Sequence, residues 1–338
     1  MDGWRNGGWR NGGWQSDLST HTGETVGAHQ AWQTQVLAAP SEAVATRFDV
    51  SIVLPAYNEE LAIERVLAEI VGAIDRDRWS YEIVVVDDAS DDRTAELAER
   101  FAADCWQCPV RVIRRPRRAG AGAARKTGIR ECLGEIVVMT DADGTYPAEA
   151  IPTLLAHFPA YDQVNGARTS EQGTLPLLRR PAKWLIRMLA CYLTGVRIPD
   201  LNTGLKAFKR DVMRPWLWVV PDGFSCVTTM TLAFLTNGYA VKYVPIEYRP
   251  RIGTSKFHPV RDTAAYLGTV LRIVLYFRPL KIFLPLSGWL IAAGVVKSLL
   301  SFHLTGSMQE SDVIVLVAGF MTSMLGLLAE VIVAHHRR

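Results

Sequence analysis

Two aspartates one residue apart, Asp141 and Asp143, lie in the stretch Ile136-Val-Val-Met-Thr-Asp-Ala-Asp-Gly-Thr-Tyr-Pro147, where an apolar run gives way to turn residues. In an extended segment, side chains two apart point the same way, so both carboxylates can face one ion. Hard cations such as Mg2+ and Mn2+ prefer oxygen ligands and often keep substrate phosphates in their coordination sphere. The spacing therefore suits a divalent cation held against a diphosphate. An acidic turn, with Asp, Gly and Pro present for local backbone reasons, accounts for the same residues.

Other polar groups recur after apolar runs. Val50 to Leu54 is followed by Pro55-Ala-Tyr-Asn-Glu-Glu60, and Ile83 to Val86 by Asp87-Asp-Ala-Ser-Asp-Asp92. Asn58 can cap the next helix, and aspartates suit the positive end of a helix dipole. Capping does not explain Tyr57 and Glu59, which suit a base or ribose, nor Asp88, which as a buried carboxylate could accept from a base N–H. Arg114, Arg115, Arg117 and Arg118 lead into Gly120-Ala-Gly-Ala-Ala-Arg125. Glycines at a helix start let backbone N–H groups approach phosphate, and arginines add bidentate donors. No G-x-G-x-x-G follows the first apolar run and no G-x-x-x-x-G-K-[ST] occurs, which argues against a dinucleotide fold or a P-loop ATPase.

These segments need a frame that sets them side by side. Strands are expected at Val50 to Leu54, Ile83 to Val86, Val110 to Ile113, Ile136 to Met139 and Val241 to Ile246. Helices are expected at Glu60 to Ile74, Thr94 to Phe101, Ala123 to Leu133, Ala148 to Phe158, Leu177 to Leu193 and Val227 to Thr236. Alternation of this kind implies an α/β fold, a mainly parallel sheet with helices on both faces. Ligands of such sheets bind beyond the carboxyl ends of the strands, where the polar segments fall.

The chain has 338 residues, room for one sizeable domain and appendages, and a net charge of +3, too small to argue for nucleic acid. Five scattered cysteines suggest a reduced compartment, and Cys105-Trp-Gln-Cys108 has redox spacing without an adjacent ligand pair for zinc. Two apolar runs, Ile282 to Leu304 and Val313 to Ala334, are each long enough to cross a bilayer core of about 30 Å. Arg278 and Lys281 precede the first, His335, His336, Arg337 and Arg338 follow the second, and the loop between has Glu310 and Asp312 but no Lys or Arg. The charge bias puts both termini in the cytoplasm. Lys297 and Glu330 interrupt the runs and are expected to snorkel to the span ends. Val260 to Phe277 sets Val260, Ala264, Leu267, Leu271, Val274 and Leu275 along one helical face, as for a helix at headgroup level.

The N-terminus differs in kind. Gly3-Trp-Arg-Asn-Gly7 repeats as Gly8-Trp-Arg-Asn-Gly12, and residues up to about Thr46 are rich in Gly, Ser, Thr and Gln, which reads as a flexible tail. No apolar core follows Met1, so a signal peptide is not expected.

Taken in order, the chain resembles family 2 glycosyltransferases of the GT-A fold over about residues 48 to 281. The resemblance rests on Val53-Leu-Pro-Ala-Tyr-Asn-Glu59, Val86-Asp-Asp-Ala-Ser-Asp-Asp92, the glycine segment Gly120 to Gly128, Asp141-Ala-Asp143 and Asp200-Leu-Asn-Thr-Gly-Leu-Lys-Ala-Phe-Lys-Arg210. It continues through Gly238-Tyr-Ala-Val-Lys-Tyr-Val-Pro-Ile246 and Arg251-Ile-Gly-Thr-Ser-Lys256. Within that family it is similar to the polyprenyl-phosphate hexosyltransferases, such as dolichyl-phosphate mannose synthase and undecaprenyl-phosphate glucosyltransferase. The absence of Q-x-x-R-W sets it apart from the processive cellulose and hyaluronan synthases.

The resemblance implies nucleotide-sugar contacts from Pro55, Ala56, Tyr57, Glu59, Asp88, Asp141 and Ala142, with Mg2+ or Mn2+ on Asp141 and Asp143. It implies Arg251, Ser255 and Lys256 facing phosphate, and Asp143 and Asp200 as catalytic positions, Asp200 aligning with the family's base. Many members carry Lys between the two glycines where this chain has Ala121, and Arg117 or Arg118 would have to replace it. A lipid monophosphate, with a second pKa near roughly 6, is already mostly a dianion at neutral pH. Asp200 is therefore expected to orient the acceptor or assist deprotonation. The organisation expected is a tail over 1–47, a GT-A domain over 48–252, a juxtamembrane amphipathic segment over 253–281 and transmembrane helices over 282–304 and 313–334. The expected activity is inverting transfer of a hexose from a nucleotide sugar to a polyprenyl phosphate on the cytoplasmic leaflet, and a bacterial inner membrane fits this layout. The two-span layout resembles undecaprenyl-phosphate glucosyltransferases more than four-span relatives, a resemblance that implies UDP-glucose, with GDP-mannose also compatible. A diphosphate-lipid or glycan acceptor, a non-catalytic membrane adaptor and homo-oligomer formation stay open.

Overall fold

The computed structural model describes residues 48–169, 187–188, 190–192, 194–223, 225–252, 268, 276 and 279–336, all within the second of two units, Thr46–Arg338. Strands β1 (Val50–Ala56), β2 (Tyr81–Asp87), β3 (Val110–Arg114), β4 (Ile136–Met139), β5 (Gln163–Arg168), β6 (Lys206–Lys209) and β7 (Val241–Ile246) form one sheet. Their order is β3-β2-β1-β4-β6-β5-β7. β1 pairs in parallel with β2 and β4, β2 with β3, and β5 with β7. β6 runs antiparallel to both β4 and β5, so the sheet is mixed on that side.

The central strands read as unbroken apolar runs because both faces are covered. Val50, Ile52, Leu54, Ile83 and Val85 meet the helix α1 (Ile63–Ala73), which buries Ile63, Val66, Leu67, Ile70 and Val71 at helical spacing. Val53, Val84, Val86, Val137 and Met139 face the opposite core, with Ala124 and Ile129 of α3 (Ala121–Glu131). Between these come α2 (Thr94–Asp104), and later α4 (Ala150–Leu155), α5 (Arg210–Met213) and α6 (Cys226–Thr236).

β5 and β6 have no counterpart in the expected elements, and polar residues in their cores explain why. Gln163, Asn165 and Lys206 are each 0% exposed. Gln163 donates to Asn165 at 2.8 Å, while the Lys206 ammonium donates to the Val227 carbonyl at 3.0 Å and the Thr231 hydroxyl at 2.8 Å. These bonds take the place of apolar patterning inside the sheet.

Two apolar helices close the chain, α7 (Leu280–Thr305) and α8 (Glu310–His336), joined where Gly306 adopts φ 75°. They lie antiparallel with close approach at Gly294 to Leu316, Gly319 to Ile291 and Gly326 to Phe283. At about 1.5 Å per residue either one exceeds the thickness of a bilayer core. Lys297, expected to snorkel, instead pairs with Asp312 of α8 at 2.8 Å, and Glu330 accepts from the Leu280 amide at 3.5 Å. The expected helix Leu177 to Leu193 lies largely outside the described residues, as do the headgroup-level segment Val260 to Phe277 and the N-terminal tail.

Candidate active site

The carboxyl ends of β1, β2 and β4 bring the first three polar segments together. The loops after β1 and β2 are tied by the Asp91 amide donating to Asn58 Oδ1 at 2.8 Å and the Asn58 amide to Ser90 Oγ at 3.0 Å. The Glu59 amide donates to Thr94 Oγ1 at 2.7 Å, and the Tyr57 hydroxyl to Asp91 at 3.0 Å. Asn58 was expected to cap a helix, but α1 begins after Ala62 and the Asn58 side chain accepts across the loops. Asn58 (φ 51°) and Ala89 (φ 57°) both occupy the left-handed region, and strain of this kind collects at functional loops. The bond to Asp91 raises the Tyr57 pKa, and Arg118 lies over the Tyr57 ring, 4.0 Å from its centroid. Pro55 and Ala56 end β1, and the Ala56 carbonyl accepts from the Asp88 amide at 2.9 Å.

Asp88 is 2% exposed, and its carboxylate is already engaged. It accepts from Arg115 Nη1, from the Ala119 amide at 3.1 Å and from the Gly120 amide at 2.6 Å. The next amides, Gly122 at 2.7 Å and Ala123 at 3.2 Å, donate to the Asp222 carbonyl. The expected phosphate cradle at the start of α3 is thus corrected: Ala119, Gly120, Gly122 and Ala123 spend their N–H groups inside the protein. Glycine is needed there for close packing, since a Cβ on Gly122 would lie 2.1 Å from the Pro221 carbonyl oxygen. Arg114 is likewise committed, to Glu99 at 2.7 and 2.6 Å.

Asp141 and Asp143 follow β4 with Ala142 buried between them. Asp141 Oδ1 accepts from Arg125 Nη2, and Arg125 also donates to Cys226 Sγ at 3.2 Å. Asp143 Oδ1 accepts from the Thr145 amide at 3.1 Å and hydroxyl at 2.6 Å, while Oδ2 faces Arg251 Nη1 at 3.3 Å. Arg251 Nη2 reaches Glu59 Oε1, so Arg251 joins the loop after β1 to the loop after β4. Burial, and then the charge of Asp141, push the Asp143 pKa above its ordinary value. Among the described residues no group of three His, Cys, Asp or Glu side chains is arranged to hold a metal. Two carboxylates leave positions for substrate oxygens, the donor set that suits Mg2+ or Mn2+ on a diphosphate. A guanidinium against Asp143 is the observation that fits a cation there.

Asp200 enters from the β5–β6 connection. Arg168, at the end of β5, donates Nε at 2.7 Å and Nη2 at 3.0 Å to its two oxygens, and the Asn202 amide adds a bond at 3.0 Å. Burial alone would raise the Asp200 pKa, but the Arg168 bond and charge and the Asn202 amide hold it below the ordinary value. Ser255 and Lys256 lie outside the described residues. Arg125, Thr145 and Arg168 escaped the sequence reading. Arg125 is a cation on a glycine- and alanine-rich helix start, the one signal available; Arg168 ends a strand hidden by Gln163 and Asn165. Cys105 and Cys108 bring their sulfurs within 3.8 Å of each other, in the α2–β3 connection at the opposite ends of the strands.

The sheet order, the acidic loop after β4 and the paired loops before it define a GT-A-like nucleotide-sugar transferase. Residues 51–223 match glycosyl transferase family 2, and residues 278–334 match the GtrB C-terminal hairpin. The chain belongs to glycosyltransferase family 2 and is an enzyme of that class. A dolichyl-phosphate hexose transferase of Haloferax volcanii is 34% identical over 229 residues, covering 67% of this chain and 94% of that protein. An undecaprenyl-phosphate 4-deoxy-4-formamido-L-arabinose transferase of Pseudomonas fluorescens is 34% identical over 217 residues, covering 63% of this chain and 61% of that protein. The chain thus spans about three fifths of the length of that second relative. In fold it is similar to glucosyl-3-phosphoglycerate synthase from Mycobacterium tuberculosis in complex with Mn2+, UDP-glucose and phosphoglyceric acid. That match has a TM-score of 0.53 at 20% identity, over 70% of this chain and 85% of the other.

Proposed function

We propose that this protein transfers one hexose, with inversion, from a nucleotide sugar to a polyprenyl phosphate at the cytoplasmic face of a membrane. The observation that carries this is the joint between the site-bearing domain and the apolar hairpin. The Lys281 ammonium at the start of α7 donates to the Tyr192 carbonyl at 3.1 Å, and the Tyr192 hydroxyl returns a bond to the Lys281 carbonyl at 3.2 Å. Ile282 packs with Ala190, Ile198 and Leu201, in the segment that leads to Asp200. If α7 and α8 cross a bilayer, Asp200 belongs to the part of the domain beside it, where a lipid phosphate arrives.

Tyr57, Glu59 and the loop held by Asp88 form the nucleotide side. A base N–H would compete at Asp88 with donors from Arg115, Ala119 and Gly120, so its larger role is to hold that loop. Asp141 and Asp143 would hold Mg2+ or Mn2+, which when bound neutralises charge growing on the leaving diphosphate. Arg251, with Ser255 and Lys256, supplies cationic and hydroxyl donors to phosphate. Asp200, ionised and clamped by Arg168, orients the acceptor, whose own dianion is the nucleophile. UDP-glucose is the donor we favour, with GDP-mannose second.

Membranes bearing the protein, incubated with polyprenyl phosphate, Mn2+ or Mg2+ and a panel of UDP- and GDP-sugars, should yield a lipid heavier by one hexose that retains one phosphate. The anomeric configuration of the product reads inversion. A product with two phosphates, or none with any lipid, overturns the acceptor assignment.

A further inference from the structure

Arg251 occupies a position that a phosphate ligand alone does not require. Its guanidinium spans two carboxylates of different loops, Glu59 after β1 and Asp143 after β4. The backbone aims it there: the Ile252 amide donates to the Asp143 carbonyl at 3.1 Å and the Arg249 amide to the Thr145 carbonyl at 2.9 Å. Asp143 Oδ1 is filled by Thr145, so Oδ2, the oxygen left for a cation, is the one Arg251 faces.

The charges of the cluster make this contact more than an accident of packing. Glu59, Asp141 and Asp143 are opposed by Arg125 and Arg251. Arg125 is 5% exposed and anchored a second time on Cys226, so it cannot leave. Arg251, with a side chain 29% exposed, pairs among the described residues with the carboxylates of Glu59 and Asp143 and can turn outward. A divalent cation arriving by itself would have to displace a guanidinium or share Asp143 with it, and like charges at such distances repel. A cation arriving with a diphosphate meets a different balance. The phosphate oxygens offer Arg251 a bidentate partner and free Asp143 at the same time.

We propose that Arg251 is an exchangeable counter-ion of the acidic site, holding Asp143 and Glu59 until a nucleoside diphosphate draws it away, so that the divalent cation binds tightly only together with the donor. This deepens, and rests on, the assignment of Asp143 as a metal ligand. The exchange makes metal and nucleotide binding positively coupled, and coupling of this kind is reciprocal.

The test is a titration of Mn2+ onto the purified full-length chain, read from the paramagnetic resonance signal of free Mn2+, without nucleotide and with UDP or, separately, GDP. For the unaltered chain one of the two nucleotides should tighten Mn2+ binding by roughly 5- to 150-fold, the usual range of coupling between sites. In Arg251→Gln, Mn2+ alone should bind roughly tenfold more tightly, and the enhancement by nucleotide should shrink by the same factor. Asp143→Asn should abolish tight Mn2+ binding under every condition. If Asp143→Asn lowers Mn2+ affinity while Arg251→Gln leaves the nucleotide-free affinity unchanged, the counter-ion role is overturned and the metal site stands. If Asp143→Asn changes nothing, the metal assignment itself fails and the proposal with it. Should Arg251→Gln not fold, Arg251→Met removes the same charge while keeping an unbranched stem and should also tighten Mn2+ binding alone; an unchanged affinity overturns the proposal.

Discussion

Arg168 grips both oxygens of Asp200, through Nε at 2.7 Å and Nη2 at 3.0 Å, and the pair is mostly buried. A carboxylate so occupied, with its pKa held below the ordinary value, is a poor proton acceptor but a rigid electrostatic post.

Transfer should therefore follow the ionisation of the acceptor and not that of Asp200. As pH rises through about 6 the lipid phosphate loses its second proton and the rate should climb, while Asp200 stays ionised throughout. Asp200→Asn should lower the rate by roughly a hundredfold, the low end for a lost acid–base or orienting group. Both proteins should keep the same rise near pH 6. Rate profiles between pH 5 and 8 check this, and a rise present only with Asp200 would make it the base.

Gly122 against Pro221 supplies a stability prediction with a built-in control. A Cβ at Gly122 would lie 2.1 Å from a backbone oxygen, whereas one at Gly72, in α1, meets nothing within 4 Å. Gly122→Ala forces the loop before α6 away from α3 and should cost about 1–3 kcal/mol or more. Gly72→Ala should be neutral or stabilise by about 0.5–1 kcal/mol, because glycine carries excess entropy within a helix. Thermal melting of the two variants in one detergent should show a fall for Gly122→Ala and no fall for Gly72→Ala.

The central strands and their helices were legible because burial on both faces writes continuous apolar runs, and Val50 to Leu54 and Ile83 to Val86 fall inside β1 and β2. Asp141 and Asp143 were legible from spacing and the turn that follows. β5 and β6 were not, since Gln163 donates to Asn165 and Lys206 donates to Val227 and Thr231 of α6 in the core, contacts visible only once the strands meet. Arg168 was hidden for the same reason. Asp88 and the glycines read as ligand-binding groups from the sequence, which does not show that they also bond the protein's own loops, because the donors and acceptors for either use have the same chemistry.

Asp88 separates those two uses. Asp88→Asn keeps the shape but replaces one acceptor oxygen with a donor, which opposes the amides of Ala119 and Gly120 or the guanidinium of Arg115. A buried group left unsatisfied costs about 1–3 kcal/mol, so the melting temperature should fall even without nucleotide. Calorimetric titration with UDP and GDP should show weaker binding as well. A variant that melts normally yet loses nucleotide affinity would instead make Asp88 a direct base contact.

Lys206 predicts how stability varies with pH. It is wholly buried, its neighbours include Asp200, Cys226, Arg125 and Arg168, and burial pushes its pKa down to about 7 from 10.5. A neutral amine has two N–H groups, enough for the Val227 carbonyl and the Thr231 hydroxyl, so the folded protein can hold Lys206 uncharged. Below pH 7 both folded and unfolded chains carry the proton and the burial penalty is present in full. Between about 7 and 10.5 the unfolded chain binds a proton that the folded one has released, so stability rises with pH, by at most about 1.4 kcal/mol per pH unit from this group. Lys206→Met should be less stable wherever it loses the two bonds, but its melting temperature should lack that rise. Melting at pH 6, 7, 8 and 9 for both chains measures the difference in slope, and parallel curves would mean that Lys206 stays charged in the fold.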